Sequence, residues 1–178
     1  MKTKISKEKF TTVRDALSAV MAALVCVATF IIKIPNPPTH GYINFGDLMI
    51  FVSALTFGAI IGGYAGGVGS ALADMVSGYT NFALYTLIIK GAEGIISGLI
   101  SNKKSLFRDI LAVIVAGVEM IAGYFLVEWY LYGWGAALTE VPGNISQIAV
   151  GGGVGIPLAI IIRRRLPEAL KHRTRSSE

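Results

Sequence analysis

Six apolar stretches fill most of this 178-residue chain, and each is long enough, or nearly so, to cross a lipid bilayer as a helix. Hydrophobic residues make up 53% of the chain, more than a soluble domain of this length usually carries. The sequence therefore predicts an all-α integral membrane protein with six transmembrane helices. We expect a single transmembrane domain over residues 1–178, which leaves too little chain outside the bilayer for a soluble enzyme domain.

Turn and cap residues set the predicted helix limits. Pro35, Pro37 and Pro38 exclude a regular helix after the first stretch. Asp47 is a natural N-cap for the second helix, and residues 62–63 form a glycine turn after it. The predicted helices span residues 13–32, 47–61, 64–78, 83–101, 109–132 and 144–163. The second and third reach only ~22 Å against a ~30 Å hydrocarbon core, so we expect a cavity at the outer surface.

The basic residues are distributed on one side of this topology. Fourteen of the 16 Lys and Arg residues lie in three segments, residues 2–14, 103–108 and 163–175. The positive-inside rule places these segments and both termini in the cytoplasm. Residues 1–12 are then a cytoplasmic N-terminal segment, and residues 164–178 are a cytoplasmic basic tail. This one-sided charge favours a lipid bilayer, and not nucleic acid, as the partner.

Five ionisable residues lie inside the predicted helices, where each is costly unless it faces a partner or a cavity. Lys90 and Glu93 are three residues apart, which favours an ion pair and leaves a ligand contact as the alternative. Asp74 lies on a stripe of small residues and suits a helix contact and a cavity equally. Glu119 and Glu128 point to opposite helix faces; Glu119 is favoured as the interior residue, and Glu128 stays open.

Polar and aromatic residues gather at the predicted outer ends of the later helices. Asn81 and Tyr85 are well placed there to meet a solute from outside. Asn144 suits an N-cap as well as a cavity, whereas Gln147, one turn inside the helix, favours a cavity. The aromatic residues between positions 129 and 134 favour an interfacial belt, with stacking on a flat ligand as the alternative.

The chain lacks the local motifs of several enzyme classes. Residues 66–69 are glycine-rich but are not followed by the Gly-Lys-Ser/Thr of a phosphate-binding loop. No nucleophile-elbow motif, zinc-protease motif or cysteine cluster is present in the sequence. We therefore expect no ATPase of its own, no hydrolytic machinery, no metal site and no cofactor.

Several segments, taken in order, resemble one family. They are residues 41–47 (Gly-Tyr-Ile-Asn-Phe-Gly-Asp), 66–74 (Gly-Gly-Val-Gly-Ser-Ala-Leu-Ala-Asp), 90–94 (Lys-Gly-Ala-Glu-Gly), 123–128 (Gly-Tyr-Phe-Leu-Val-Glu) and 141–147 (Val-Pro-Gly-Asn-Ile-Ser-Gln). With Ala19 and Ala23 spaced as a small-residue pair on the first helix, this set resembles the substrate-binding S component of an energy-coupling factor (ECF) vitamin transporter. The resemblance covers essentially the whole chain.

The resemblance implies a mechanism and a set of site residues. An S component in a prokaryotic plasma membrane would capture a vitamin or precursor from outside and pass it on with a separate transmembrane coupling subunit and two cytoplasmic ATPases. Ala19 and Ala23 would dock on the coupling subunit. The implied substrate-binding residues are Tyr42, Asn44, Asn81, Tyr85, Glu119, Trp134, Asn144 and Gln147, with the first two on a lid. Further candidates are Asp74, Lys90, Glu93 and Glu128.

The candidate residues are carboxylates, amides and aromatics with few bases, which predicts a flat, neutral or cationic heteroaromatic solute. Acidic vitamins such as biotin, folate or pantothenate should fit poorly. The resemblance is closest to members associated with hydroxymethylpyrimidine or other thiamine precursors, vitamin B6 compounds or queuosine precursors. Two other classes stay open: a small membrane enzyme that acts on lipid through Glu93 and Glu119, and a stand-alone channel or structural membrane protein.

Overall fold

A helical bundle with one small β-hairpin forms the described part of the protein. The computed structural model describes residues 2–31 and 33–166, with side chains from Thr12 onward. In chain order the elements are α1 (Lys2–Ile31), β1 (Lys33–Asn36), β2 (Gly41–Asn44), α2 (Gly46–Phe57), α3 (Ala59–Ser77), α4 (Thr80–Ile100), α5 (Leu106–Tyr132) and α6 (Trp134–Arg165). Five of the described helices are long and apolar enough to cross a bilayer, and α2 is a shorter apolar helix, so the predicted helical membrane bundle is confirmed. Most of the predicted basic tail lies outside the described residues.

The turn between α2 and α3 lies earlier than the sequence indicated. Gly58 separates the two helices with a φ of 101°, a conformation that favours glycine, whereas residues 62–63 lie inside α3. A Cβ added at Gly62 would lie 2.8 Å from the carbonyl oxygen of Gly94 on α4. The predicted turn at these glycines was therefore wrong, because their role is close helix packing. The shift makes α2 12 residues long and α3 19.

α2 is buried although it is too short to cross the bilayer. Ten of its 12 residues are buried, and Phe51 and Leu55 are fully enclosed. A helix that is apolar on all faces belongs in the interior. Its first turn differs from the prediction: Asn44 Oδ1 accepts the Gly46 N–H at 2.8 Å, while Asp47 makes no side-chain cap and is buried.

α6 begins ten residues before the predicted start. Gly133, with a φ of 88°, separates it from α5, and the helix continues through Pro142. Proline lacks only its own N–H donor, and such positions are tolerated in membrane helices. Asn144 is consequently one of the interior residues of α6, and the N-cap interpretation of this residue was wrong.

The proline-rich segment after α1 is an antiparallel hairpin, not an irregular loop. Lys33 pairs with Asn44 at one end of the hairpin, and Asn36 pairs with Gly41 at the other. Residues 37–40 form the turn, and His40 adopts a φ of 52°. The strands have only four residues each, so the hairpin needs the helices beneath it for stability.

Glycine seams join the central helices. A Cβ at Gly67 would lie 2.8 Å from the Leu87 carbonyl oxygen of α4, and one at Gly69 would lie 2.8 Å from Cβ of Val25 on α1. α3 therefore packs tightly between α1 and α4, as small residues permit in a membrane bundle. α2 packs against α6 on the other side of the core, where Gly151 and Gly155 contact it.

The two ends of the helical bundle differ in the elements that they carry. The hairpin lies across one, which we call the hairpin end. The opposite basic end carries the α4–α5 connection and the close of α6, where Arg163 pairs with Asp109 at 2.8 Å. Ser101 donates a second hydrogen bond to Asp109 at 2.6 Å. The basic end is thus tied together by charge and hydrogen bonds.

Candidate functional site

A cavity lies under the hairpin, between α3, α4, α5 and α6. Its empty space amounts to about 420 Å³, including the part open to solvent at the mouth. The lining residues are Tyr42, Asn44, Asp74, Tyr79, Phe82, Thr86, Lys90, Tyr124, Glu128, Glu140, Asn144 and Gln147. The cavity is therefore lined by aromatic rings, carboxylates and amides.

One wall of the cavity is a single stripe of α4. Phe82, Thr86 and Lys90 follow one another at four-residue steps, so they share a helix face. Tyr124 on α5 donates its hydroxyl hydrogen bond to Thr86 Oγ1 at 3.1 Å. The wall thus combines two aromatic rings with one fixed hydroxyl pair.

The floor of the cavity is an ion-paired cluster of three side chains from two helices, α2 and α4. The Lys90 ammonium contacts the Asp47 carboxylate of α2 and Glu93 Oε2 of its own helix, the latter at 3.0 Å. All three side chains are 3% exposed or less. The predicted pair of Lys90 and Glu93 is present, and Asp47 adds a second carboxylate. Two carboxylates that hold one ammonium make this floor a rigid structural element.

The hairpin is bonded to the helices on both sides of the cavity mouth. Tyr42 donates to Asp74 Oδ1 on α3 at 2.6 Å, and the backbone N–H of Asn44 donates to Gln147 Oε1 on α6 at 2.7 Å. Gln147 is itself oriented by a hydrogen bond from its amide to Asn144 Oδ1 at 2.9 Å. Burial, and next the nearby Asp74 carboxylate, raises the pKa of Tyr42, so the phenol stays a donor.

A second pair of contacts holds the tip of the hairpin. Thr39 donates to Glu140 Oε1, and Asn36 donates to Thr139 Oγ1 at 3.2 Å, both on α6. Lys33 at the base of the hairpin donates to Ser77 Oγ of α3 at 2.7 Å. The hairpin therefore spans the cavity from α3 to α6 and closes it through polar contacts.

Three carboxylates around the cavity are nearly fully buried. Asp74 is 5% exposed, and Glu128 and Glu140 are each 3% exposed. Within the described part of the chain, Asp74 Oδ2 and Glu128 Oε2 have no hydrogen-bond partner. Buried acceptors without donors are costly, so the cavity presents acceptor capacity that the protein itself leaves unused.

The structure places several predicted site residues on the cavity and others away from it. Tyr42, Asn44, Asn144 and Gln147 line it, as do the further candidates Asp74, Lys90 and Glu128. Absent from the lining are Asn81, Tyr85, Glu93, Glu119 and Trp134. Asn81 is exposed, and Trp134 is 54% exposed at the start of α6. Glu93 pairs with Lys90, and Glu119 is half-buried, with its Oε2 atom enclosed.

Five cavity residues were not among the predicted site residues: Tyr79, Phe82, Thr86, Tyr124 and Glu140. Two signals for them existed in the sequence. The four-residue spacing from Phe82 to Lys90 marks one face of α4, and Tyr124 lies one turn before Glu128 on α5. Glu140 had no signal, because it fell in a segment predicted to be a loop.

The aromatic residues near the α5–α6 junction form a cluster outside the cavity. Phe125, Trp129 and Trp134 have ring centroids 5.1–6.3 Å apart, with two T-shaped pairs. Trp129 is 49% exposed and Tyr130 85% exposed. Exposed aromatics at the end of membrane helices suit an interfacial belt, and the described cavity lining includes none of these four.

The small residues of α1 divide between two faces. Ser18, Ala22 and Val25 are buried, whereas Ala19 and Ala23 are exposed. The exposed pair lies on a face that no described element covers. Among the described residues, no group of three or more His, Cys, Asp or Glu residues could hold a metal ion.

Comparisons with known proteins point in one direction. A family model described as the S component of the ECF-type riboflavin transporter matches residues 9–164. An uncharacterized protein in the gap 3′ region of Pyrococcus woesei is 43% identical over 148 residues, which cover 83% of this chain and 99% of that protein. The thiamine precursor transporter HmpT of Lactococcus lactis subsp. cremoris is 34% identical over 153 residues, covering 83% of this chain and 86% of HmpT.

A solved structure shares the fold. The S component of a bacterial ECF transporter superposes with a TM-score of 0.62 at 23% sequence identity, over 90% of this chain and 99% of that chain. This likeness concerns the arrangement of the helices.

Proposed function

Because the chain belongs to the family of ECF-type riboflavin transporter S components, we propose that it captures a small heteroaromatic solute in the cavity under its hairpin. S components are multi-pass transport subunits and not enzymes. They bind small vitamin-like substrates and work with a coupling subunit and ATPases. The membership removes the lipid-modifying enzyme and the stand-alone channel as alternatives for this chain.

The cavity lining carries the proposal. Flat ligands are held by aromatic faces, which Tyr42, Phe82 and Tyr124 supply. Orientation comes from a few convergent polar groups, here the unpartnered oxygens of Asp74 and Glu128. A solute with hydrogen-bond donors satisfies these oxygens, whereas an acidic vitamin adds charge of the wrong sign.

The substrate that this cavity favours is a single-ring heterocycle with amino or hydroxyl donors. Hydroxymethylpyrimidine or another thiamine precursor is the first candidate, since the relative HmpT is named a thiamine precursor transporter. Vitamin B6 compounds are the second single-ring candidate, and queuosine precursors, which have two fused rings, are the last candidate. Riboflavin, with three fused rings and a sugar-alcohol chain, is larger than each of these candidates.

Binding titrations on purified protein test this proposal. We expect hydroxymethylpyrimidine, or another single-ring candidate, to bind with a Kd in the micromolar range or below, and riboflavin and biotin to bind at least about tenfold more weakly. Native mass spectrometry of the purified protein identifies any ligand that is carried through purification. Tight binding of riboflavin or biotin without binding of any single-ring heterocycle would contradict the proposed substrate class.

The remaining parts of the proposal concern orientation and partners. The positive-inside rule supports a basic end on the cytoplasmic side of the cell membrane. Both termini then lie in the cytoplasm, and the hairpin lies on the outer side. The exposed small-residue face of Ala19 and Ala23 is the proposed dock for the coupling subunit, which acts with two cytoplasmic ATPases. We expect Ala23→Leu to abolish uptake in cells but to leave binding to purified protein unchanged. Ala122→Leu, at an exposed alanine of α5, is the matched control, and equal loss of uptake in both variants would contradict this dock.

A further inference from the structure

Glu128 and Glu140 form a pair of buried carboxylates at the α5–α6 side of the cavity. Both line it, and each is only 3% exposed. Glu128 lies on α5 and Glu140 on α6, the two helices that form this side of the cavity. Within the described part of the chain, neither residue forms an ion pair with a Lys or Arg side chain. The two residues thus form an acidic wall, and no Lys or Arg side chain of the described residues pairs with it.

The two carboxylates differ in their partners. Glu140 Oε1 accepts the hydroxyl of Thr39, so the hairpin already uses this side chain. Glu128 Oε2 is buried and has no hydrogen-bond partner in the described chain. A buried carboxylate oxygen without a donor is costly, and this one lies on the wall of the cavity under the hairpin.

We infer that Glu128, with Glu140 on the same side of the cavity, selects substrates that present an amine-bearing edge, in which an exocyclic NH₂ group points outward from the ring. This inference rests on the proposed function, because it assigns the specificity of the same cavity. Such an NH₂ group donates a charge-assisted hydrogen bond to the Glu128 oxygen that has no partner in the described chain. Glu140 adds negative charge next to this contact and favours heterocycles that carry a positive charge.

Neighbouring residues orient a ring toward Glu128. Tyr124 lies one turn before Glu128 on the same face of α5, and Phe82 lines the cavity from α4. A flat ring between these aromatic side chains directs its edge, and not its face, at the carboxylate. The groups on the edge of the ligand ring therefore determine specificity. Contacts between the ring faces and the aromatic side chains provide affinity for any flat ring.

The test compares two ligands that differ in one group. Hydroxymethylpyrimidine carries an exocyclic amine, and its oxo analogue carries a carbonyl there, which turns a donor into an acceptor. We expect the wild-type protein to bind the amine at least about tenfold more tightly, since hydrogen bonds to charged groups are worth that much. Glu128→Gln should reduce this ratio to near one, because the carboxamide both donates and accepts. Glu119→Gln, at an intramembrane carboxylate outside the cavity, should keep the wild-type ratio.

The outcomes separate this inference from the proposed function. If the wild-type protein binds the amine but discriminates against the oxo analogue by less than about threefold, the inference is overturned without any variant. If Glu128→Gln keeps the wild-type ratio, or Glu119→Gln loses it equally, the assignment to Glu128 is overturned and the proposed function stands. If no single-ring heterocycle binds the wild-type protein, the proposed substrate class fails first. A thermal unfolding measurement on each variant confirms that the protein compared is folded.

Discussion

Two groups of buried carboxylates lie beside the same cavity in this bundle, and they differ in their partners. At the floor of the cavity, Asp47 and Glu93 share the ammonium of Lys90. At its α5–α6 wall, Glu128 and Glu140 have no cation among the described residues, and one oxygen of Glu128 has no donor. The first group is paired with a cation within the protein, whereas the second has no such cation among the described residues.

This difference separates a structural element from a binding element. Charge that is paired inside the bundle holds α2 and α4 together and offers little to a ligand. Charge that is left unpaired on a cavity wall destabilises the empty protein and is compensated when a donor enters. We therefore expect mutations in the floor to affect folding and mutations in the wall to affect ligand choice.

The largest effect is expected for Lys90→Met. Removing the ammonium leaves two carboxylates buried without a cation, which should lower the free energy of unfolding by about 3–5 kcal/mol. Equilibrium unfolding with SDS in mixed micelles measures the change. Lys33→Met is the matched control, because Lys33 is only partly buried and its loss should change stability by less than about 1 kcal/mol. Equal free energies of unfolding for the two variants would contradict the proposal that the ion pairs of the floor stabilise the fold.

The next effect concerns the glycine seam beside the floor. A Cβ at Gly94 would meet the backbone of Gly62 and Gly63 on α3, so Gly94→Ala should push α3 and α4 apart. We expect a loss of about 1–3 kcal/mol in the same unfolding assay. Gly153→Ala is the control, since a Cβ there would have no neighbour within 4 Å and should leave stability unchanged or slightly higher. A harmless Gly94→Ala would show that the seam tolerates separation.

A smaller effect is expected where the hairpin meets the cavity. Tyr42→Phe removes the hydrogen bond to Asp74, which should lower stability by about 1 kcal/mol and accelerate ligand dissociation by about fivefold. Stopped-flow displacement of a bound ligand measures the rate. Tyr79→Phe is the control, because the Tyr79 ring lies 4.6 Å from the Tyr42 ring. Within the described residues, the Tyr79 hydroxyl forms no hydrogen bond that this change would remove. Identical dissociation rates in the two variants would exclude a latch role for Tyr42.

The smallest effect on stability is expected for Glu128→Gln. This change removes a buried charge that no described cation neutralises, so it should leave the free energy of unfolding unchanged or raise it by up to about 1 kcal/mol. The SDS assay that is used for Lys90→Met makes the comparison direct. A loss of more than about 2 kcal/mol would place Glu128 in a structural network like that of Lys90 and would erase the distinction between floor and wall.

The sequence was informative wherever a property repeats along the chain. Apolar stretches and one-sided charge predicted the helical membrane bundle, since both depend on local composition. Helix limits were less predictable, because glycines at 62–63 and the proline at 142 are turn signals that helix packing overrides here. The hairpin was missed because strands of four residues carry almost no periodic signal.

The site was predictable only in part, for reasons of distance along the chain. Spacing within α4 indicated the pair of Lys90 and Glu93, but Asp47 is 43 residues away and looked like a local cap. Glu140 was hidden by the late predicted start of α6. Helical geometry predicted opposite faces for Glu119 and Glu128, yet only the neighbouring helices determine which of the two lines the cavity.

A structure of the protein with hydroxymethylpyrimidine bound would show directly whether the substrate binds in the cavity under the hairpin. We expect ligand density in this cavity, in contact with the Tyr124 ring and within hydrogen-bonding distance of the Glu128 carboxylate. Density at the exposed aromatic cluster of Phe125, Trp129 and Trp134, with the cavity unchanged, would contradict it.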